Sequence, residues 1–109
     1  MKESQALEAL AALSEETRLR MFRFLVSCGT EGAPAGEISD AVGASSSRAS
    51  FHLAALSRAG LLSSTKKARQ VIYYVDFKIA GHLVAFLIED CCGRHPFVLQ
   101  CCNSASGNS

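Results

Sequence analysis

Residues 35–62, AGEISDAVGASSSRASFHLAALSRAGLL, decide how this chain folds. Ala35 to Val42 reads as a short helix stopped by Gly43, a residue suited to the left-handed position after a helix end. Ser45, Ser46 and Ser47 offer hydroxyls that can cap a second helix. Its inward face is expected to hold Ala49, Leu53 and Leu56, and it ends at Ala59-Gly60. Then the period changes. Leu61 to Lys67 and Gln70 to Val75 are rich in Thr, Val, Ile and Tyr and read as two strands. The basic run Lys66-Lys67-Ala68-Arg69 lies at their junction, without the Asn-Gly or Asp-Gly pair that would mark a tight hairpin.

Working outward from this stretch, Ala6, Ala9, Leu10 and Leu13 recur at helical spacing, so residues before Ser14 form an amphipathic helix. Ser14 is the expected N-cap of the next helix, with Glu15 and Glu16 in its first turn favoured by the helix dipole. Leu19, Phe22, Leu25 and Val26 supply its apolar face, and Cys28-Gly29 ends it. Thr30 to Pro34 reads as a loop. From Lys78 to about Asp90 runs a helix that is apolar nearly all round, carrying Ile79, Ala80, Leu83, Val84, Phe86, Leu87 and Ile88. Such a helix must be covered on more than one side, and in so small a domain a second copy of the chain is the simplest cover. Residues 103–109 have almost nothing to bury and are expected to be disordered. The chain therefore divides into a folded unit, 1–92, and a cysteine-containing tail, 93–109.

With 109 residues, 49% of them hydrophobic and 19% charged, there is material for one core and no second one. The longest apolar run, Leu83 to Ile88, is far too short to span a bilayer, and the acidic N-terminus does not resemble an export signal. A cytoplasmic protein without a membrane partner is expected. The formal net charge of +1 hides a partition: residues 1–44 carry −3, residues 45–78 carry +5 and residues 79–109 carry −1.

A short helix, a turn, a second helix with a polar start and a basic hairpin make a winged helix-turn-helix, mainly α with a β-hairpin wing. A helix fits the major groove of double-stranded DNA, its first turns reach base edges, and a basic hairpin can lie along flanking phosphates. On this reading Ser46, Ser47, Arg48, Ser50 and His52 face DNA from the second helix, and Lys66, Lys67, Arg69 and Gln70 from the wing. The bland alternative is a helix pair with a solvated basic face; the order of elements together with the +5 block favours DNA.

Five cysteines, an odd number with four in two adjacent doublets, do not make a disulfide framework. Reduced thiols are expected, and Cys91-Cys92 with Cys101-Cys102 form a candidate soft-ligand site. Thiolates suit trivalent arsenic. Four thiolates, or three with His95, would also satisfy zinc or cadmium, although adjacent doublets lack the gap usual in zinc knuckles. Closely spaced thiols can also oxidise to one another.

Ser50 to Leu62, SFHLAALSRAGLL, resembles the segment of the ArsR (arsenic-repressor) family that joins recognition helix to wing, and Leu13 to Phe22, LSEETRLRMF, resembles that family's second-helix start. The resemblance covers about residues 5–90. It implies a homodimeric bacterial repressor, paired through its first and last helices, that leaves an inverted-repeat operator when an inducer binds. One inducer site of the family, a Cys-x-Cys pair, would fall on Glu37-Ile38-Ser39-Asp40, which has no cysteine. A zinc site with an Asp-x-His pair is unmatched at Asp76-Phe77-Lys78, where His82 stands alone. Glu89-Asp90-Cys91-Cys92 is similar to the C-terminal site of an arsenite-responsive branch, in which a vicinal pair and one downstream cysteine bind the metalloid. This chain has a longer spacer, Gly93 to Gln100, and a second doublet, so Cys101 or Cys102 would be the third ligand for arsenite or antimonite.

Cys28 follows Leu25 at helical spacing and is expected to pack, and His82 is expected at a core or dimer interface. No nucleophile elbow, phosphate loop or carboxylate pair points to an enzyme. A cysteine-rich metal-trafficking module is the other class of function, but it would need neither recognition helix nor wing.

Overall fold

A computed structural model describes residues 1–107, with side chains described as far as Cys102. Helices α1 (Glu3–Leu13) and α2 (Glu16–Cys28) lead through a 3-10 turn, Gly29–Glu31, to the short strand β1 (Ala33–Pro34). Helices α3 (Ala35–Val42) and α4 (Ser46–Arg58) follow, then strands β2 (Leu62–Lys67) and β3 (Gln70–Val75). The chain closes with α5 (Phe77–Phe86), a π-helical turn at Leu87–Cys91, and α6 (Pro96–Gly107). The sheet is antiparallel with order β1-β3-β2.

The expected order of elements is present, and four local assignments change. Glu15, not Ser14, caps α2: its carboxylate accepts from the Arg18 backbone N–H at 2.9 Å, while the Ser14 hydroxyl closes α1 by donating to the Ala11 carbonyl. The loop before α3 contains β1, which pairs Ala33 with Tyr73 and Pro34 with Ile72. Gly32 makes that pairing possible. Its φ is 67°, and a Cβ there would run into the Tyr73 carbonyl. The apolar stretch from Lys78 to Asp90 is helical in two parts, α5 and the π turn, and Asp76 caps it by accepting from the backbone N–H groups of Lys78 and Ile79. Finally, the tail is helical from Pro96 to Gly107, in place of the disorder expected from residue 103; residues 108 and 109 lie outside the described residues. Pro96 is the first residue of this helix, where its missing N–H costs nothing.

The core is built from Met21 and Leu25 of α2, Ile38 of α3, Leu53 and Leu56 of α4, and Leu61 at the entry to the wing, all fully buried. Helix α1 packs on it through Ala6, Ala9 and Ala12, whose small side chains bring the helix close. Leu13 is half-buried, but Leu10, expected inside, is exposed together with Leu7. Leu19 and Val26 of α2 are likewise exposed, because Met21, Leu25 and Cys28 form the stripe that meets the core. On α5 only Leu83 is buried, and Val84 is half exposed at 52%.

Candidate DNA-binding surface and cysteine site

The turn between α3 and α4 is short and fully bonded. Gly43 sits at φ 68° and ψ 32°, the left-handed position that ends α3. The buried Ser39 hydroxyl donates to the Ala44 carbonyl, and the Ala44 N–H donates to the Ser39 carbonyl at 3.1 Å. Ser45 then caps α4, accepting from the Arg48 backbone N–H at 3.3 Å. This fixes where the first turn of α4 points.

Ala49, His52, Leu53 and Leu56 make the buried stripe of α4. The opposite face is exposed and carries Ser46, Ser47, Arg48, Ser50 and Phe51. These four polar residues stand where the sequence placed them. His52 does not: it is 8% exposed. Its Nδ1 accepts from Arg18 Nε at 3.1 Å and lies 3.6 Å from a Glu15 carboxylate oxygen. The spacing carried the signal, since position 52 is three residues after Ala49 and four before Leu56, on the apolar stripe. The backbone N–H of Thr17 above all, then that of Arg18 and the nearby His52 ring, hold the Glu15 carboxyl below its ordinary range despite some desolvation.

In the wing, Lys66 faces Val71 and Lys67 faces Gln70 across the ladder, with Ala68 and Arg69 forming the turn. Ala68 takes a φ of 55°, which supplies the turn geometry that no Asn or Gly provides here. Lys66, Lys67, Arg69 and Gln70 are all exposed. Farther down, Thr65 Oγ1 and the Tyr74 hydroxyl lie 3.3 Å apart and join the two strands.

Cys91 ends the π turn and Cys92 follows it; both are exposed, as are Cys101 and Cys102 on α6. Between them Gly93 and Arg94 take φ values of 56° and 54° and turn the chain. Arg94 pairs with Glu89, and His95 Nδ1 accepts from the Phe97 N–H at 3.1 Å at the start of α6. Among the described residues no group of three or more Cys, His, Asp or Glu side chains is gathered in metal-binding geometry. Cys91 borders a groove of about 490 Å³ between α1 and α5, lined also by Ala6, Leu7, Leu10 and Phe86. Cys28 packs against the core as expected, whereas His82 is exposed on α5 rather than in the core. Among the described residues no helix is long and apolar enough to cross a membrane.

An exposed polar face on the second helix of a helix-turn-helix, flanked by a basic wing, defines a winged-helix DNA-binding protein. A family model described as a helix-turn-helix domain matches residues 13–65. The HTH-type transcriptional regulator YgaV of Escherichia coli (strain K12) is 32% identical over 83 residues, which are 76% of this chain and 82% of the relative. The chain belongs to the HTH-type transcriptional regulators. In fold it is similar to an ArsR-like transcriptional regulator from Rhodococcus sp. RHA1, with a TM-score of 0.72 at 24% identity, over 94% of this chain and 92% of that one. It is also similar in fold to the homodimeric winged helix-turn-helix DNA-binding domain of Mb0332 from Mycobacterium bovis, with a TM-score of 0.66 at 22% identity, over 84% and 82% of the two chains.

Proposed function

We propose that this regulator is a homodimeric repressor of the bacterial cytoplasm that binds an inverted-repeat operator and is released by trivalent arsenic or antimony. The observation that carries this reading is the placement of four exposed thiols on either side of the Gly93-Arg94 turn, two after α5 at the end of the π turn and two on α6. Cys91 and Cys92 supply two thiolates and Cys101 or Cys102 the third. Arsenite, As(OH)3, condenses with three thiols to form three As–S bonds, and each hydroxyl leaves as water with a thiol proton, a soft centre preferring soft ligands. Because no three of these side chains are gathered among the described residues, binding of a third thiolate from α6 shifts α6 relative to Cys91 and Cys92.

That movement reaches DNA through the dimer. Leu7, Leu10 and Val84 are exposed apolar residues on α1 and α5, and a second copy covers them. The spacing of the two recognition helices depends on how the protomers meet, so a strain at the end of α5 alters it. An inducer that prefers the DNA-free arrangement by about 1–3 kcal/mol weakens operator binding roughly 5–150-fold.

The test is DNA release titrated with arsenite, antimonite, zinc and cadmium. Arsenite and antimonite are expected to release the parent protein, and Cys91→Ser/Cys92→Ser to bind operator normally but stay on it. Cys101→Ser and Cys102→Ser, singly and together, identify the third ligand, and Cys28→Ser behaves as the parent. Release by zinc or cadmium alone, or release of the Cys91→Ser/Cys92→Ser variant at the parent's arsenite concentration, overturns the assignment.

A further inference from the structure

Phe51 is an anomaly on the recognition face. It is 60% exposed, on a helix whose apolar stripe is otherwise turned to the core. It stands three residues after Arg48 and four after Ser47, which places all three on one side of α4. The ring is also held. The Arg18 guanidinium carbon lies 5.8 Å from its centroid, and the His52 ring meets it edge-on, with centroids 5.5 Å apart and planes at 73°. Arg18 is fixed in turn by its hydrogen bond to His52, so two residues that do not face DNA set the position of one that does.

A large aromatic surface held in water is unfavourable unless something apolar meets it in the bound state. Phe51 is not among the residues lining the α1–α5 groove, the face assigned to the second protomer. In the major groove the apolar feature among the base edges is the C5-methyl of thymine. We propose that Phe51 reads a thymine methyl in each operator half-site, alongside the polar contacts of Ser47, Arg48 and Ser50. This rests on the DNA-binding part of the proposed function and not on its inducer.

The experiment begins by selecting bound duplexes from a random-sequence pool with the full-length protein. Each thymine of the selected site is then replaced in turn by deoxyuridine, which lacks only the methyl group. The parent is expected to lose about fourfold in affinity at one thymine per half-site, and about fifteenfold when both half-sites are changed. Phe51→Ala is expected to bind the thymine and deoxyuridine duplexes equally, and Phe51→Leu to keep part of the discrimination. Phe51→Gln provides the same comparison as Phe51→Ala should the alanine variant not fold. Absence of any thymine-dependent loss, or a loss of equal size in the Phe51 variants, overturns the proposal while leaving DNA binding intact. Failure to select any duplex overturns the DNA-binding reading itself.

Discussion

Arg18 Nε donates to His52 Nδ1 at 3.1 Å, a bond between residues 34 apart in sequence that ties the start of α2 to the middle of α4. The same Nδ1 lies 3.6 Å from Glu15, whose carboxylate is occupied by the backbone N–H of Arg18. The cap of one helix and the orientation of the recognition helix are thus one small network.

His52→Ala removes the acceptor from a half-buried guanidinium and is expected to cost about 1–3 kcal/mol of folding stability. Denaturant unfolding checks this as a lowered midpoint at unchanged slope. Operator affinity is expected to fall, with any change of base preference confined to the thymine read by Phe51, since His52 itself meets no base. A change in base preference confined to a position other than that read by Phe51 would contradict this placement.

The pH dependence follows from Glu15. Its folded carboxyl titrates below the ordinary value, chiefly because the backbone N–H of Thr17 favours the charged form. A lowered folded value means that the contribution is fully present above the unfolded carboxylate's titration and is lost as the pH falls through the folded one. Glu15→Ala is therefore expected to be less stable than the parent at neutral pH, with the difference shrinking as the medium is acidified below the ordinary carboxylate range. Thermal unfolding of both proteins across that range measures it, and a gap that widens toward acid would refute it.

Lys66→Ala/Lys67→Ala removes two exposed cations from the wing. Binding is expected to weaken about equally for every duplex, and the slope of log affinity against log salt to flatten by about one for each phosphate that is no longer neutralised. Affinities of specific and random duplexes at several salt concentrations decide the matter. A loss confined to the specific site would mean that the wing reads bases.

The exposed leucines of α1 and Val84 of α5 predict a dimer of the 11.6 kDa chain. Light scattering at micromolar concentration is expected to give twice the chain mass, and Leu7→Asp/Val84→Asp to give the single-chain mass with weak operator binding. A single-chain mass for the parent removes the dimer and with it the inverted repeat.

The order of the helices and the wing was legible in the sequence because each depends on neighbours along the chain. Gly43 ends α3, Ser45 caps α4, and the strand begins at Leu62 where the helical period stops. The exposed polar residues Ser46, Ser47, Arg48 and Ser50 followed from their distance from Ala49, Leu53 and Leu56. What only the tertiary structure decided are choices between surfaces that look alike locally. Helix α1 has an alanine face and a leucine face, and the closely packed core takes the alanines, leaving Leu7 and Leu10 outside. Strand β1 is two residues long, too short to show a period, and exists because β3 offers a free edge and Gly32 allows the approach. The helical spacing puts His52 on the buried stripe of α4, but its hydrogen-bond partner there, Arg18, is distant in sequence and only the fold supplies it. Caps and periods are local and can be read from order alone, whereas the partner of a polar side chain is fixed only when distant segments meet.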